Sequence, residues 1–129
     1  MTSKGSAAHW QRKFSDAFAG LALACRHESS LWVHLAISTF VVLLAIWLRL
    51  ESWRWCVLLI CIAAVVSLEL MNSAIERLVK TLHPEHDAGI ASSLHMAAAS
   101  VLVMAMGSVI VGLVVLLPAL YARFANIPS

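Results

Sequence analysis

Long apolar runs broken by brief charged punctuation set the pattern of this chain. Leu31 to Leu48 holds no formally charged residue over 18 positions, the minimum for a membrane-spanning helix. A short polar turn, Arg49-Leu50-Glu51-Ser52, separates it from a second run that extends from about Arg54 to Leu82. A third run follows and is uncharged from Ala91 through Ala122. Upstream, Trp10, Phe14, Ala17, Phe18, Leu21 and Cys25 recur with helical spacing, and Arg12, Lys13 and Asp16 lie off their face. That pattern predicts an amphipathic helix along the membrane surface, rings in the interface and cations toward lipid phosphates. The expected fold is all-α and integral to a membrane: a surface helix over 8–27, then spans over 31–49, 54–82 and 90–123, in one membrane domain covering 1–129. Residues 1–7, small and polar, are expected to precede the first helix as an unstructured tail.

The punctuation refines this picture. Trp47, Trp53 and Trp55 form an interfacial belt at the first turn. Pro84 ends the second span, and Gly89 is expected to let the chain swing into the third. The third span opens with Ala91, Ser92, Ser93, Ala97, Ala98, Ala99 and Ser100, and Ser108 and Gly112 follow. Small residues permit close helix approach, which predicts that this span sits at the centre of the packing. Pro118 is expected to kink its far end.

Composition agrees: 61% of the 129 residues are hydrophobic and 12% charged, with a mean hydropathy of +0.87. A soluble domain of this size cannot bury so many apolar side chains. The formal charge of +2 and the lack of a basic, aromatic-interleaved patch argue against nucleic acid as a partner. Cys25, Cys56 and Cys61 fit no metal-ligand spacing and read as small hydrophobes. The amino terminus does not read as a signal peptide, because charges interrupt the stretch where its apolar core would lie. Lys4, Arg12, Lys13, Arg26, Arg77 and Lys80 fall on one side of the membrane and Arg49, Arg54 and Arg123 on the other. The positive-inside rule then favours a cytoplasmic amino terminus. Three spans enclose little interior, so a homo-oligomer whose polar stripes meet between subunits is expected.

The chemistry gathers late in the second span, in Glu69-Leu70-Met71-Asn72-Ser73-Ala74-Ile75-Glu76. At about 100° per residue, Glu69, Asn72 and Glu76 share a sector of roughly 60° on the helix. A charge at bilayer depth costs at least about 2.5–3.5 kcal/mol, so such residues face a partner, a metal or water. Interhelical hydrogen bonds are the structural alternative, but two carboxylates on one face repel unless a cation lies between them. Paired carboxylates near a membrane surface suit Mg²⁺, which takes one or two of them and completes its octahedron with water and phosphate. One carboxylate can also take the proton of a lipid hydroxyl that attacks a γ-phosphate. Neither a P-loop nor a protein-kinase signature is present. In the loop, His83, Glu85, His86 and Asp87 read as solvated groups rather than a metal site.

The chain resembles the small bacterial membrane lipid kinases, the prokaryotic diacylglycerol kinases and the similar undecaprenol kinases, from about Lys13 to Leu117. Glu69-x-x-Asn72-Ser73-Ala74-Ile75-Glu76 resembles the family's most specific signature, and Phe14-x-x-Ala17-x-x-Gly20-Leu21, Glu28, His34 and His86 resemble further parts of its pattern. The resemblance implies a multi-pass homotrimer in the bacterial inner membrane, with composite sites that use MgATP to phosphorylate a lipid alcohol, diacylglycerol or undecaprenol. Carried over by position, Glu69 would be the general base, Asn72 would orient the site, and Glu28 and Glu76 would hold Mg²⁺. Ala17 and Gly20 would give close approach near the nucleotide.

The sequence departs from that family where a Lys-Asp pair that meets the ATP phosphates is replaced by Leu94-His95. Ser30 and Trp32 stand where the family has Asn and Arg, and Lys80 where it has Asp. Lys80 lies about 20° around the helix from Glu69 and could supply the missing cation. The alternative is that Lys80 and Arg77 snorkel toward lipid phosphates. His95 could meet a phosphate, bind a metal or pack between helices. Three functions stay open: a lipid kinase with an altered nucleotide site, a non-kinase descendant that binds lipid or performs metal-dependent lipid phosphate chemistry, and a proton or cation pathway along the stripe. Three short spans without a broken helix disfavour the last.

Overall fold

The structure, a computed structural model, describes residues 3–83, 85 and 87–125 and the side chains from Ala8 onward. Four helices account for nearly all of them: α1 (Ser3–His27), α2 (Ser29–Trp47), α3 (Ser52–Leu82) and α4 (Ala88–Ala125). The last three are each long and apolar enough to cross a membrane. The protein is thus an all-α membrane protein. At 1.5 Å per residue α2 measures about 28 Å, α3 about 46 Å and α4 about 57 Å, against a hydrocarbon thickness of about 30 Å. Both α3 and α4 must therefore project beyond the bilayer core.

Helix α1 starts at Ser3, inside the stretch expected to be a tail. No proline opposes it there, and Gly5 costs only about 1 kcal/mol in a helix. A single residue, Glu28, separates α1 from α2, and its extended backbone (φ −109°, ψ 105°) turns the chain. Across this joint the Trp32 indole N–H donates to the Cys25 carbonyl at 2.7 Å. Trp10, Phe14 and Phe18 on α1 remain more than half exposed, an apolar face with no cover inside the chain.

The expected central helix is not the central one. α3, rather than the small-residue span α4, is the helix that α1, α2 and α4 all pack against. Of its most apolar window 28% is buried, against 11% for each of α2 and α4. The most extensive helix pairing is that of α3 with α4, so the small-residue span has one main partner rather than a central place. At one end of the bundle Ala45, Leu58 and Val115 form an apolar core under Val41, Leu50 and Trp55. Toward the other end the buried residues of α3 are polar: Glu69, Asn72 and Ser73.

The α2–α3 turn closes by backbone bonds. Leu50 N–H donates to the Ala45 carbonyl at 3.3 Å and Arg49 N–H to the Ile46 carbonyl at 3.1 Å, with Arg49 left-handed at φ 51°. This is a Schellman closure, in which glycine is usual and arginine costs about 1–2 kcal/mol. Beside it, Arg54 donates from Nη1 to the Val115 carbonyl at 2.7 Å. Pro118 lies within α4 and lacks the N–H that the adjacent Val114 carbonyl would accept. Arg54 thereby latches the start of α3 to the proline turn of α4.

At the opposite end α4 begins on a side-chain cap: Asp87 Oδ1 accepts from Ile90 N–H at 2.9 Å. Gly89 was expected to make the turn. It instead lies in the first turn of α4 without a left-handed φ, and the cap does that work. Pro84 and His86 lie outside the described residues.

Candidate active site

Helix α3 carries the polar stripe, and α2 covers its deeper half. Glu69 is 4% exposed. One oxygen, Oε1, accepts from Ser30 Oγ, and the other lies 3.9 Å from His34 Nε2. One turn on, buried Asn72 donates from Nδ2 to Glu76 Oε1 at 3.0 Å. Because a carboxylate only accepts, this bond fixes the amide so that Oδ1 faces away. Asn72 Oδ1 is buried and has no hydrogen-bond partner, an acceptor suited to an incoming donor or a hard cation. Another turn on, Lys80 Nζ lies 3.4 Å from Glu76 Oε2. Glu69, Asn72, Glu76 and Lys80 thus follow one face of α3 from the buried interior to the exposed end. Glu69 and Asn72 are buried within the single chain, whereas Glu76 is half-buried and Lys80 exposed.

Glu28 approaches from the α1–α2 joint. Its carboxylate does not cap α2 but lies 3.5 Å from Arg77 Nη2 on α3. Arg77, expected to be a snorkelling cation, therefore pairs across helices. No periodicity on α3 signals this, because the partner comes from a joint whose direction the sequence does not encode. Ser30 was likewise noticed only as a departure, and its position at the start of α2 makes it the donor to Glu69. Ala17 and Gly20 are exposed on α1, and a Cβ at Gly20 would meet nothing within 4 Å. His95 is exposed on α4.

Two concavities adjoin the stripe. Lys80, His83, Asp87 and Leu94 line a groove of about 320 Å³ beside the α3–α4 loop. Leu94 and Lys80 thus share one surface. A second groove, of about 370 Å³, starts at His34 and follows Phe40, Val65, Ser108, Gly112 and Leu116 between the spans. Its lining is almost wholly apolar, and through His34 it abuts Glu69.

A buried carboxylate thus stands beside an apolar groove, on a helix long and apolar enough to cross a membrane. The chain belongs to the prokaryotic diacylglycerol kinase family, which matches residues 15–116. It is also 30% identical over 109 residues to the undecaprenol kinase of Bacillus subtilis (strain 168), covering 84% of this chain and 89% of that protein. Family and relative together support a lipid kinase function.

Proposed function

We propose that this protein transfers the γ-phosphate of ATP to the hydroxyl of a membrane lipid, diacylglycerol or undecaprenol, at the cytoplasmic face of the bacterial inner membrane. The observation that carries the reading is Glu69, a buried carboxylate held by Ser30 where the apolar groove meets the polar stripe. With the lipid tail in that groove, the headgroup hydroxyl comes to Glu69. The carboxylate takes its proton as the oxygen attacks the γ-phosphorus, the bond to ADP breaks, and a lipid phosphate monoester results. Asn72, its amide fixed by Glu76, leaves Oδ1 free to orient a donor.

Glu28 and Glu76 are the carboxylates that would hold Mg²⁺, and substrate phosphates would complete the shell. Each now faces a cation, Arg77 and Lys80 respectively, that the metal would replace. When bound it would neutralise charge on the transferring phosphoryl group. Ala17 and Gly20 on exposed α1 leave room for a nucleotide. We place Lys80 at the phosphates in the role that Leu94 cannot fill, because the two residues share one groove; His95 is a second phosphate contact. Membership of the family supports assembly as a homotrimer, and the distribution of Lys and Arg supports a cytoplasmic amino terminus.

Labelled ATP with Mg²⁺ in mixed micelles, offered diacylglycerol or undecaprenol, tests the reading and names the acceptor. The Leu94-His95 pair favours the second reading, a non-kinase descendant, and that reading requires no labelled lipid from a folded preparation.

A further inference from the structure

A cavity of about 620 Å³ lies at the end of the bundle opposite the Glu69–Glu76 stripe. Three guanidinium groups line it, Arg49, Arg54 and Arg123, against the single carboxylate of Glu51. That carboxylate is already engaged: Glu51 Oε2 accepts from the Trp53 indole at 2.6 Å and stands 3.8 Å from Arg54 Nε. Arg54 spends Nη1 on the Val115 carbonyl, and its Nε is buried without a hydrogen-bond partner. Arg123 lies over the Trp47 ring at 5.5 Å, and Trp47 leans on Phe124 with ring centroids 6.2 Å apart. An aromatic rim, rather than acid, therefore positions this arginine. Arg49 is set by the left-handed backbone of the turn.

We propose that this pocket binds the phosphate of an anionic phospholipid headgroup, drawn from the leaflet on the side opposite the Glu69 stripe. Guanidinium forks match phosphate oxygens in a way that single ammonium groups do not. The source follows from the surroundings. The pocket sits where α2, α3 and α4 end among Trp47 and Trp53, the level of lipid headgroups. Apolar Leu48, Leu50, Pro118, Ala119 and Ala122 share its lining, so acyl chains can continue down the lipid-facing surface. A bound headgroup would bridge the α2–α3 turn to the end of α4. None of this depends on the kinase reading, since no residue is shared with the stripe.

The test is native mass spectrometry of delipidated full-length protein in zwitterionic micelles, titrated separately with phosphatidylglycerol, phosphatidylcholine and inorganic phosphate. Phosphatidylglycerol should be retained at one per chain, ahead of phosphatidylcholine. Arg49→Gln and Arg123→Gln spare the Val115 latch. Each should weaken retention about five-fold and the pair about thirty-fold, taking about 1 kcal/mol per basic side chain at an anionic surface. Unchanged retention in the double variant, equal retention of phosphatidylcholine, or inorganic phosphate bound as tightly as the lipid would each overturn the proposal.

Discussion

In Lys80→Ala the stripe loses the ammonium 3.4 Å from Glu76 Oε2, on the groove that Leu94 also lines. The effect on folding should be small. Lys80 is 75% exposed, and an exposed ion pair four residues apart on a helix contributes about 0.3–0.5 kcal/mol. In the proposed reaction the effect on catalysis is larger, because there the same charge would face the developing charge of a phosphoryl group. At about 4 Å, one unit charge acting on another gives roughly 1 kcal/mol in bulk water and about 4 kcal/mol at a protein surface. Those bounds correspond to about five-fold and about a thousand-fold in rate. An exposed amine belongs in the lower part of that range, so a fall of about ten- to fifty-fold in kcat/KM for ATP is expected. The assay is γ-phosphate transfer to lipid in mixed micelles at several ATP concentrations, with thermal unfolding alongside. Adding Leu94→Lys to the variant should return most of the lost activity by placing a cation on the facing helix. An unchanged kcat/KM in Lys80→Ala, with the fold intact, would refute the assignment and leave Lys80 a solvated end of α3.

The α3–α4 latch makes a second claim: Arg54→Gln should cost about 1.5–3 kcal/mol, the range for a hydrogen bond to a charged group. That is roughly 5–10 °C in the melting temperature of a chain this size, and a shift under about 2 °C would show that Arg54 does not hold α4. Arg49→Gly should act in the opposite direction. Relieving a left-handed non-glycine residue is worth about 1 kcal/mol, seen as a rise of a few degrees in zwitterionic micelles without anionic lipid; a fall would mean that the turn is not strained there.

How far the sequence reaches depends on whether a feature is local. The three spans are legible because each is a long run with few charges, and lipid demands that length whatever the neighbours do. The common face of Glu69, Asn72 and Glu76 is legible because helical periodicity alone puts them there, and the Asn72–Glu76 bond is its local consequence. Features set between helices are not. Small residues in α4 advertise close packing, yet α3 is the shared helix because the short α2–α3 turn and the α3–α4 loop lay both neighbours against it. The Arg77–Glu28 pair and the Arg54–Val115 latch join residues 49 and 61 positions apart, and each looks like an ordinary interfacial cation in the sequence. Gly89 misled for a local reason: Asp87, two residues earlier, offers a cap that starts α4 before the glycine is needed.

Glu69→Gln separates a proton-accepting role of Glu69 toward the lipid hydroxyl from a purely structural one. The amide keeps the shape of the carboxylate beside Ser30 and His34 but cannot accept the proton. The measurement is the initial rate of γ-phosphate transfer to whichever acceptor the wild-type protein uses, with oligomer mass and melting temperature as controls. Loss of a general base should lower the rate by about 10²–10⁴-fold while the mass and the melting temperature stay at wild-type values. A variant within a few-fold of the wild-type rate would show that Glu69 is not the base, and a folded wild-type protein that labels no lipid would rule out the kinase.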